Sequence, residues 1–178
     1  MRTDDDTEPL AGLAPGLDEV ATVAWRAGPL EPGRVVVVDI DGVVADTSAR
    51  QHLLDGPGRR NWDAFFAAAG ADRPLTAVPT LLDTLDAALA VVLVSGRPEW
   101  LVDTTIDWLT QHGVRWDALV VRRPGDRTLA SRFKLRVLRA LGAAGLSVVL
   151  AVDDDETVVE AYRQAGIPTL HPGPDRAR

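Results

Sequence analysis

The 178-residue sequence contains no cysteine, which excludes a disulfide framework and any thiolate metal site and fits a reducing compartment. It also lacks a long hydrophobic run. Its apolar stretches are strand-length, well short of the roughly 20 residues that a membrane-spanning helix needs. The N-terminus reads MRTDDDTEPL, with no hydrophobic signal core, so the expectation is a soluble, unexported, cytoplasmic protein with no membrane partner. Positive charge is scarce: the formal net charge of −7 argues against a chain that coats nucleic acid or lies on an anionic membrane, while leaving room for a local basic site. Lysine is nearly missing. Of the nineteen Lys and Arg residues, Lys134 is the single lysine. A compact ammonium on a flexible stem, kept at one place in an otherwise arginine-only chain, marks Lys134 as a candidate for a role that a planar guanidinium does not fill.

What is present is 46% hydrophobic, enough for one domain with a sizeable core and too short for a second of similar size. Residues 1–33 begin acidic, are rich in Pro and Gly at both ends, and hold one helix-like stretch, LDEVATVAW; they read as a partly ordered leader ahead of a domain over 34–178. From residue 35 short apolar runs alternate with amphipathic segments. VVVVD is followed by a helical 75–90, VVLVS by a helical 98–112, ALVV by a helical 130–143, and SVVLAVD by a helical 156–165. This β-α alternation predicts an α/β fold, a doubly wound and mainly parallel sheet with helices on both faces. Pro98 suits a first helical turn, and Gly113 and Gly166 suit helix C-termini. Residues 48–74 have no clear period. RRNWDAFF within them predicts a short helix, too little for a separate cap domain, so a site beneath it is expected to be open.

Residues 35–47, VVVVDIDGVVADT, raise the functional question. Four consecutive β-branched residues suit a strand covered on both faces, and carboxylates at its end are costly unless something serves them. Ligands of such sheets bind at the carboxyl edge of the strands. Three apolar runs end there in polar residues: Asp39 and Asp41 after VVVV, Ser95-Gly96-Arg97 after VVLV, and Asp153-Asp154-Asp155 after VVLAV. Lys134, early in the helix before the last of these strands, reaches the same edge. Taken alone, the 153–155 run also suits a helix N-terminus, and Arg50 an ordinary solvated arginine.

In order, DxDGVVADT, SGR, K and DD resemble the haloacid dehalogenase superfamily of phosphotransferases, over roughly residues 34–171. The resemblance implies that Asp39 is a nucleophile forming an aspartyl-phosphate and that Asp41 is the general acid and base. It assigns a divalent cation, Mg²⁺ by its hard oxygen ligands, to the Asp39 side chain, the Asp41 backbone carbonyl and the Asp153-Asp154 pair. Ser95, the Gly96 amide that follows it and Lys134 would hold the transferring phosphate. Within the superfamily, PLTAVPTLLDTL, SGRPEWLVDTTIDWL, RRPGDRTLASRFK and AVDDDETVVEAYRQAGI are similar to the phosphatase half of phage-type polynucleotide kinase/3′-phosphatase, where Arg50 and Arg97 also match arginines that serve the site. That branch carries an acid one helical turn before the lysine, where this chain has Ala130, so Lys134 lacks that orienting partner. A P-loop requires a lysine directly after glycine; Lys134 follows Phe133, and no kinase domain is expected in this chain.

The resemblance implies a phosphorylated substrate, with DNA or RNA 3′ ends as one class. Residues 122–139 hold seven basic residues against one acid, Asp126, and favour ends; the net acidity favours the alternative, a nucleotidase or small-metabolite phosphatase of the same superfamily. A phosphoacceptor receiver domain also uses acids, a hydroxyl and a lysine on a doubly wound sheet, but its accepting aspartate lies at the third strand, an order this chain does not follow. The tryptophans at 62, 100, 108 and 116 sit among apolar neighbours and are expected to pack in the core or at its edge rather than serve as stacking platforms, with Trp62, in the open segment near the first motif, the one candidate set apart; the three histidines show no ligand spacing.

Overall fold

The computed structural model describes residues 16–55 and 60–173. In chain order these form α1 (Leu17–Val20), β1 (Thr22–Trp25), β2 (Gly33–Val38), β3 (Ala45–Asp46), α2 (Trp62–Ala67), β4 (Arg73–Pro74), α3 (Ala77–Thr84), β5 (Ala90–Pro98), α4 (Val102–Gln111), β6 (Ala118–Arg122), α5 (Ala130–Ala143), β7 (Leu146–Val152), α6 (Glu156–Gln164) and β8 (Thr169–Leu170), with 3₁₀ turns at Ser48–Leu53, Ala69–Ala71 and Glu99–Leu101.

The four valines of β2 form the centre of a six-stranded sheet of order β1-β6-β5-β2-β7-β8. β2 pairs in parallel with β5 on one side and β7 on the other, and only β1, at the edge, runs antiparallel. Both faces are covered, as the unbroken apolar run requires. Val35 and Val37 pack with Phe133, Val137 and Leu141 of α5 and Val158 and Tyr162 of α6, while Val36 and Val38 pack with Val78 and Leu82 of α3 and Trp108 and Leu109 of α4. Each of these valines is at most 1% exposed, and burying each side chain contributes about 1.5–3 kcal/mol before entropy is counted. The chain runs from β2 outward to β5 and β6, then returns to β7 and β8 on the other side. The winding therefore changes direction at β2, which opens a crevice at its carboxyl end.

The predicted α/β class and parallel sheet are present, and three local expectations change. LDEVATVAW, expected as one helix, is helical only over Leu17–Val20; TVAW is a strand, because its β-branched residues complete the sheet edge against β6. Residues 1–15 of the proposed leader lie outside the described residues. The 75–90 helix is shorter, ending at Thr84 with Leu85 extended. Pro98 closes β5 instead of opening a helix, and α4 starts after an intervening 3₁₀ turn. Gly113 and Gly166 do follow helix ends with left-handed φ, +64° and +78°. In the 48–74 segment, RRNWDAFF forms α2 from Trp62 onward (Arg59 lies outside the described residues), and β3 pairs with β4 to make a two-stranded flap. Among the described residues no helix is long and apolar enough to cross a membrane.

Candidate active site

The turn after β2 is built from one buried residue. Ile40, fully buried, keeps its side chain in the core, and its carbonyl accepts from the amides of Val43, Val44 and Ala45 at 3.2, 2.9 and 2.9 Å. Asp39 and Asp41, one residue either side, therefore both leave the core. Gly42 makes the reversal at φ +81°, and a Cβ there would lie 1.9 Å from Asp154 Oδ2. The backbone angle favours glycine, and any side chain there would displace the Asp154 carboxylate from the cluster.

That approach gathers three carboxylates. Oxygens of Asp39, Asp153 and Asp154 lie within 4.8 Å of one another. Lys134 Nζ donates to Asp153 Oδ2 at 2.6 Å and lies 2.9 Å from Asp39 Oδ2. The lysine that lacks an acid at position 130 is thus held from the strand ends of β2 and β7 instead. Its burial would favour the neutral amine, but the two carboxylates prevail and raise its pKa. One ammonium does not offset three acids. Burial, with repulsion from Asp153 and Asp41, pushes Asp39 up to about 7 against the pull of Lys134. Burial, then the charge of Asp39, pushes Asp154 up to about 6. Asp39 Oδ1 is buried with no hydrogen-bond partner among the described residues. A hard divalent cation fits this set: all the donors are oxygens, three acids face a single ammonium, and one buried oxygen lacks a partner.

Asp41 has a separate environment. Arg50 Nη2 lies 2.6 Å from its Oδ1, and Arg97 reaches it through Nη2 at 2.7 Å and Nε at 3.2 and 3.3 Å. Burial alone would raise the Asp41 pKa, but Arg97 first and Arg50 second outweigh it and hold the carboxyl below its ordinary value. Beneath them lies Asp72, 5% exposed, whose carboxylate accepts Arg50 Nε at 2.9 and 3.0 Å and Nη2 at 2.6 Å, and sits 3.8 Å from Arg97 Nη2. Arg97 also donates to Thr105 Oγ1 at 3.0 Å. Trp108 Nε1 anchors the Asp72 carbonyl at 2.9 Å.

Arg97 reaches inward because β5 does not end at Ser95. It continues to Pro98 through a break in its register with β6, where Val94 faces Val120 and Pro98 faces Arg122. Four steps along β5 against two along β6 leave Ser95, Gly96 and Arg97 bulged toward the crevice. Ser95 is fully buried, and its Oγ accepts from the Arg97 amide at 3.2 Å.

The residues singled out in the sequence thus fall into two adjoining clusters. Asp39, Lys134, Asp153 and Asp154 form one, and Asp41, Arg50 and Arg97 form the other, with Ser95 and Gly96 on the bulge beside them. The Asp41 carboxylate faces arginines and stands apart from the acidic trio. Arg50 is 2% exposed, so the solvated reading of that residue is overturned. Asp155 caps α6, its carboxylate accepting from the Thr157 amide at 2.8 Å, which leaves Asp153 and Asp154 to the cluster. Asp72, Thr105 and Phe65, which lies under Arg50 at 4.0 Å, carried no motif and were not singled out.

Outside the site, the tryptophans divide and so does the basic segment. Trp108 and Trp116 are buried, but Trp62 and Trp100 are 45% and 57% exposed. In the basic segment, Arg122 stacks over Phe133 at 4.7 Å and, with Arg136, pairs with Asp126, while Arg123 donates to the Glu19 carbonyl; Arg127, Arg132 and Arg139 are exposed.

A central parallel strand ending in an Asp-x-Asp turn, with a lysine and an acidic pair brought in from later elements, defines a phosphatase of the haloacid dehalogenase superfamily. Residues 33–172 match the family model described as the polynucleotide kinase PNKP phosphatase domain, and the chain belongs to that family. Among solved structures, the chain resembles a component of the Pnkp1/Rnl/Hen1 RNA repair complex at TM-score 0.64 and 21% identity, over 84% of this chain and 45% of that one. It resembles the class C acid phosphatase from Bacillus anthracis, solved with tungstate bound, at TM-score 0.58 and 17% identity, over 83% of this chain and 69% of that one. It also resembles the haloacid dehalogenase-like hydrolase SP0104 from Streptococcus pneumoniae at TM-score 0.56 and 12% identity, over 79% and 84%. At these identities the structural likeness establishes the fold. The chain spans less than half the length of the RNA-repair component. No curated protein matches the sequence.

Proposed function

We propose that the protein is a Mg²⁺-dependent phosphomonoesterase that works through an aspartyl-phosphate on Asp39 and removes 3′-phosphates from DNA or RNA ends. The observation that carries the reading is the division of labour between the two aspartates. Asp39 shares its surroundings with Lys134 and two further acids, while Asp41, two residues on, is bonded to two arginines. That difference supports assigning phosphorus to Asp39 and protons to Asp41.

In the forward step an Asp39 oxygen attacks phosphorus, the bond from phosphorus to the ester oxygen breaks, and Asp41 supplies that oxygen with a proton. Water then attacks the aspartyl-phosphate, giving its proton to Asp41 and releasing inorganic phosphate and the free Asp39 carboxylate. The free protein holds Asp41 ionised, the form that serves the second half. Arg50 and Arg97 would serve the first half without leaving Asp41: an incoming phosphate dianion beside them offsets their charge, which favours the protonated Asp41 that delivers the proton. Lys134 and the Ser95–Gly96 bulge offer donors to the equatorial oxygens. The side chains of Asp39, Asp153 and Asp154 would hold Mg²⁺, which offsets repulsion between the attacking carboxylate and the dianionic phosphate.

Membership of the polynucleotide kinase phosphatase family and likeness to an RNA-repair component support a nucleic-acid end as the substrate. A nucleotidase or small-metabolite phosphatase is the second reading, favoured by the net charge of −7. Phosphate release with Mg²⁺, measured side by side from 3′-phosphorylated oligonucleotides, 5′-phosphorylated oligonucleotides and mononucleotides, tests the reading. The expected result is highest kcat/KM on the 3′-phosphorylated oligonucleotide, with an advantage over the 3′-mononucleotide that shrinks as salt rises and in the Arg127→Ala/Arg132→Ala variant. Equal efficiency on oligonucleotide and mononucleotide at low salt contradicts it and favours the small-substrate reading.

A further inference from the structure

Four large apolar side chains are exposed among the described residues: Trp62, Trp100, Leu129 and Leu170. Single exposed apolar residues need no explanation, but these four share one end of the molecule. Trp100 follows β5, Leu129 ends the loop after β6, Leu170 closes β8, and Trp62 lies in the excursion after β2. The first three are therefore at the carboxyl edge of the sheet, the edge that carries Asp39 and Asp41, and Trp62 is tied to that edge through Phe65 and Arg50.

Trp62 is connected to the reacting groups by a continuous series of contacts. Its indole stacks on Phe66, with centroids 5.7 Å apart and planes 26° apart, and meets Phe65 edge-on at 5.6 Å. Phe65 is buried, and the Arg50 guanidinium carbon lies 4.0 Å from its ring centroid. Nη2 of that guanidinium is 2.6 Å from Asp41. Indole, phenyl ring, guanidinium and carboxylate form one packed column whose outer end remains 45% exposed. The Asn61 side chain caps α2 by accepting from the Ala64 amide at 3.1 Å, so the element that carries the indole is itself fixed. A rigid aromatic surface standing beside a phosphate site suits a ligand that has a phosphate ester at one end and a flat apolar group at the other. A nucleotide has that form.

We propose that Trp62 is the stacking platform for the terminal nucleobase of a 3′-phosphorylated end, holding the base while Asp39 engages its phosphate. The inference rests on the nucleic-acid reading above and adds the residue that distinguishes a nucleotide terminus from other phosphate esters. Because every base presents a π-face, the platform grips an end without reading its sequence.

The test uses two oligonucleotides that carry a 3′-phosphate and differ only in whether the terminal sugar bears a base or is abasic. The wild-type protein should favour the base-bearing end in kcat/KM by about 5- to 160-fold, the span of base–aromatic stacking. Trp62→Ala should bring that ratio near one, Trp62→Phe should retain most of it, and Trp100→Ala should leave it at the wild-type value. The ratio is formed within each variant, so partial loss of folded protein cancels. A wild-type ratio near one overturns the proposal, as does a Trp62→Ala ratio equal to wild type or a ratio lost in Trp100→Ala instead. Hydrolysis of both oligonucleotides at equal rates overturns the platform and leaves the end-processing reading standing. Release from neither, with a small alkyl phosphate still hydrolysed, overturns both.

Discussion

Asp72→Asn removes one negative charge from a buried group of two carboxylates and two guanidiniums while keeping the side chain's shape. The Asp72, Arg50 and Arg97 side chains are 2%, 3% and 1% exposed, so water is poorly placed to compensate. The asparagine amide retains one acceptor oxygen, but turns an NH₂ toward a guanidinium that has no lone pair to offer. Breaking a buried ion pair by removing one partner costs about 3–5 kcal/mol. The lower part of that range applies, because Asp41 still faces both arginines at 2.6 and 2.7 Å. At about 2–4 °C per kcal/mol for a domain of this size, the melting temperature should fall by roughly 6–12 °C. Thermal unfolding followed by circular dichroism at neutral pH measures it, with a urea titration as a second estimate. Arg50→Gln/Asp72→Asn removes both partners and should lose less than the sum of the two single changes. A fall in Tm of under about 2 °C for Asp72→Asn would mean that the quartet carries no net stabilisation, and would refute the reasoning.

Two further predictions concern the acidic cluster. Gly42→Ala meets both a left-handed φ, which costs a non-glycine residue about 1–2 kcal/mol, and the Asp154 carboxylate; it should lower Tm and weaken Mg²⁺ binding in a titration calorimeter, and unchanged Mg²⁺ affinity would contradict the contact. Asp154 and Asp39 release their protons near pH 6 and 7, above the unfolded value of about 4, so in that window the metal-free native state binds more protons than the unfolded chain. Their contribution to stability therefore falls as pH rises from about 4 to 7. A cation must displace those protons at low pH, so the rise in Tm on adding Mg²⁺ should be larger at pH 8 than at pH 5; a pH-independent rise would contradict the assignment.

The legible parts of the molecule were those in which a local signal and the tertiary demand coincide. Four valines require cover on both faces wherever they are placed, and acids at such a strand's end can be read without coordinates. The placement of Arg50 depends on Phe65, fifteen residues on, and Asp72, twenty-two residues on, in a segment with no hydrophobic period. TVAW reads as the end of a helix until β6, nearly a hundred residues away, offers an edge. Trp62 and Trp100 have apolar neighbours in sequence but lie at the start of a six-residue helix and on a three-residue 3₁₀ turn, and no period in so short an element reveals its exposed side.

Transfer of phosphate to Asp39 is the central claim, and trapping it is the most direct test. A 3′-phosphorylated oligonucleotide labelled in its terminal phosphate is mixed with the protein and Mg²⁺, quenched with acid at successive times during turnover, and digested. The label is expected transiently on the peptide that contains Asp39, removable by hydroxylamine as an acyl-phosphate is, and absent from Asp39→Asn protein. Steady release of phosphate with no protein-bound label at any quench time, together with turnover by Asp39→Asn within about tenfold of wild type, a difference of only about 1.4 kcal/mol in barrier, would contradict it.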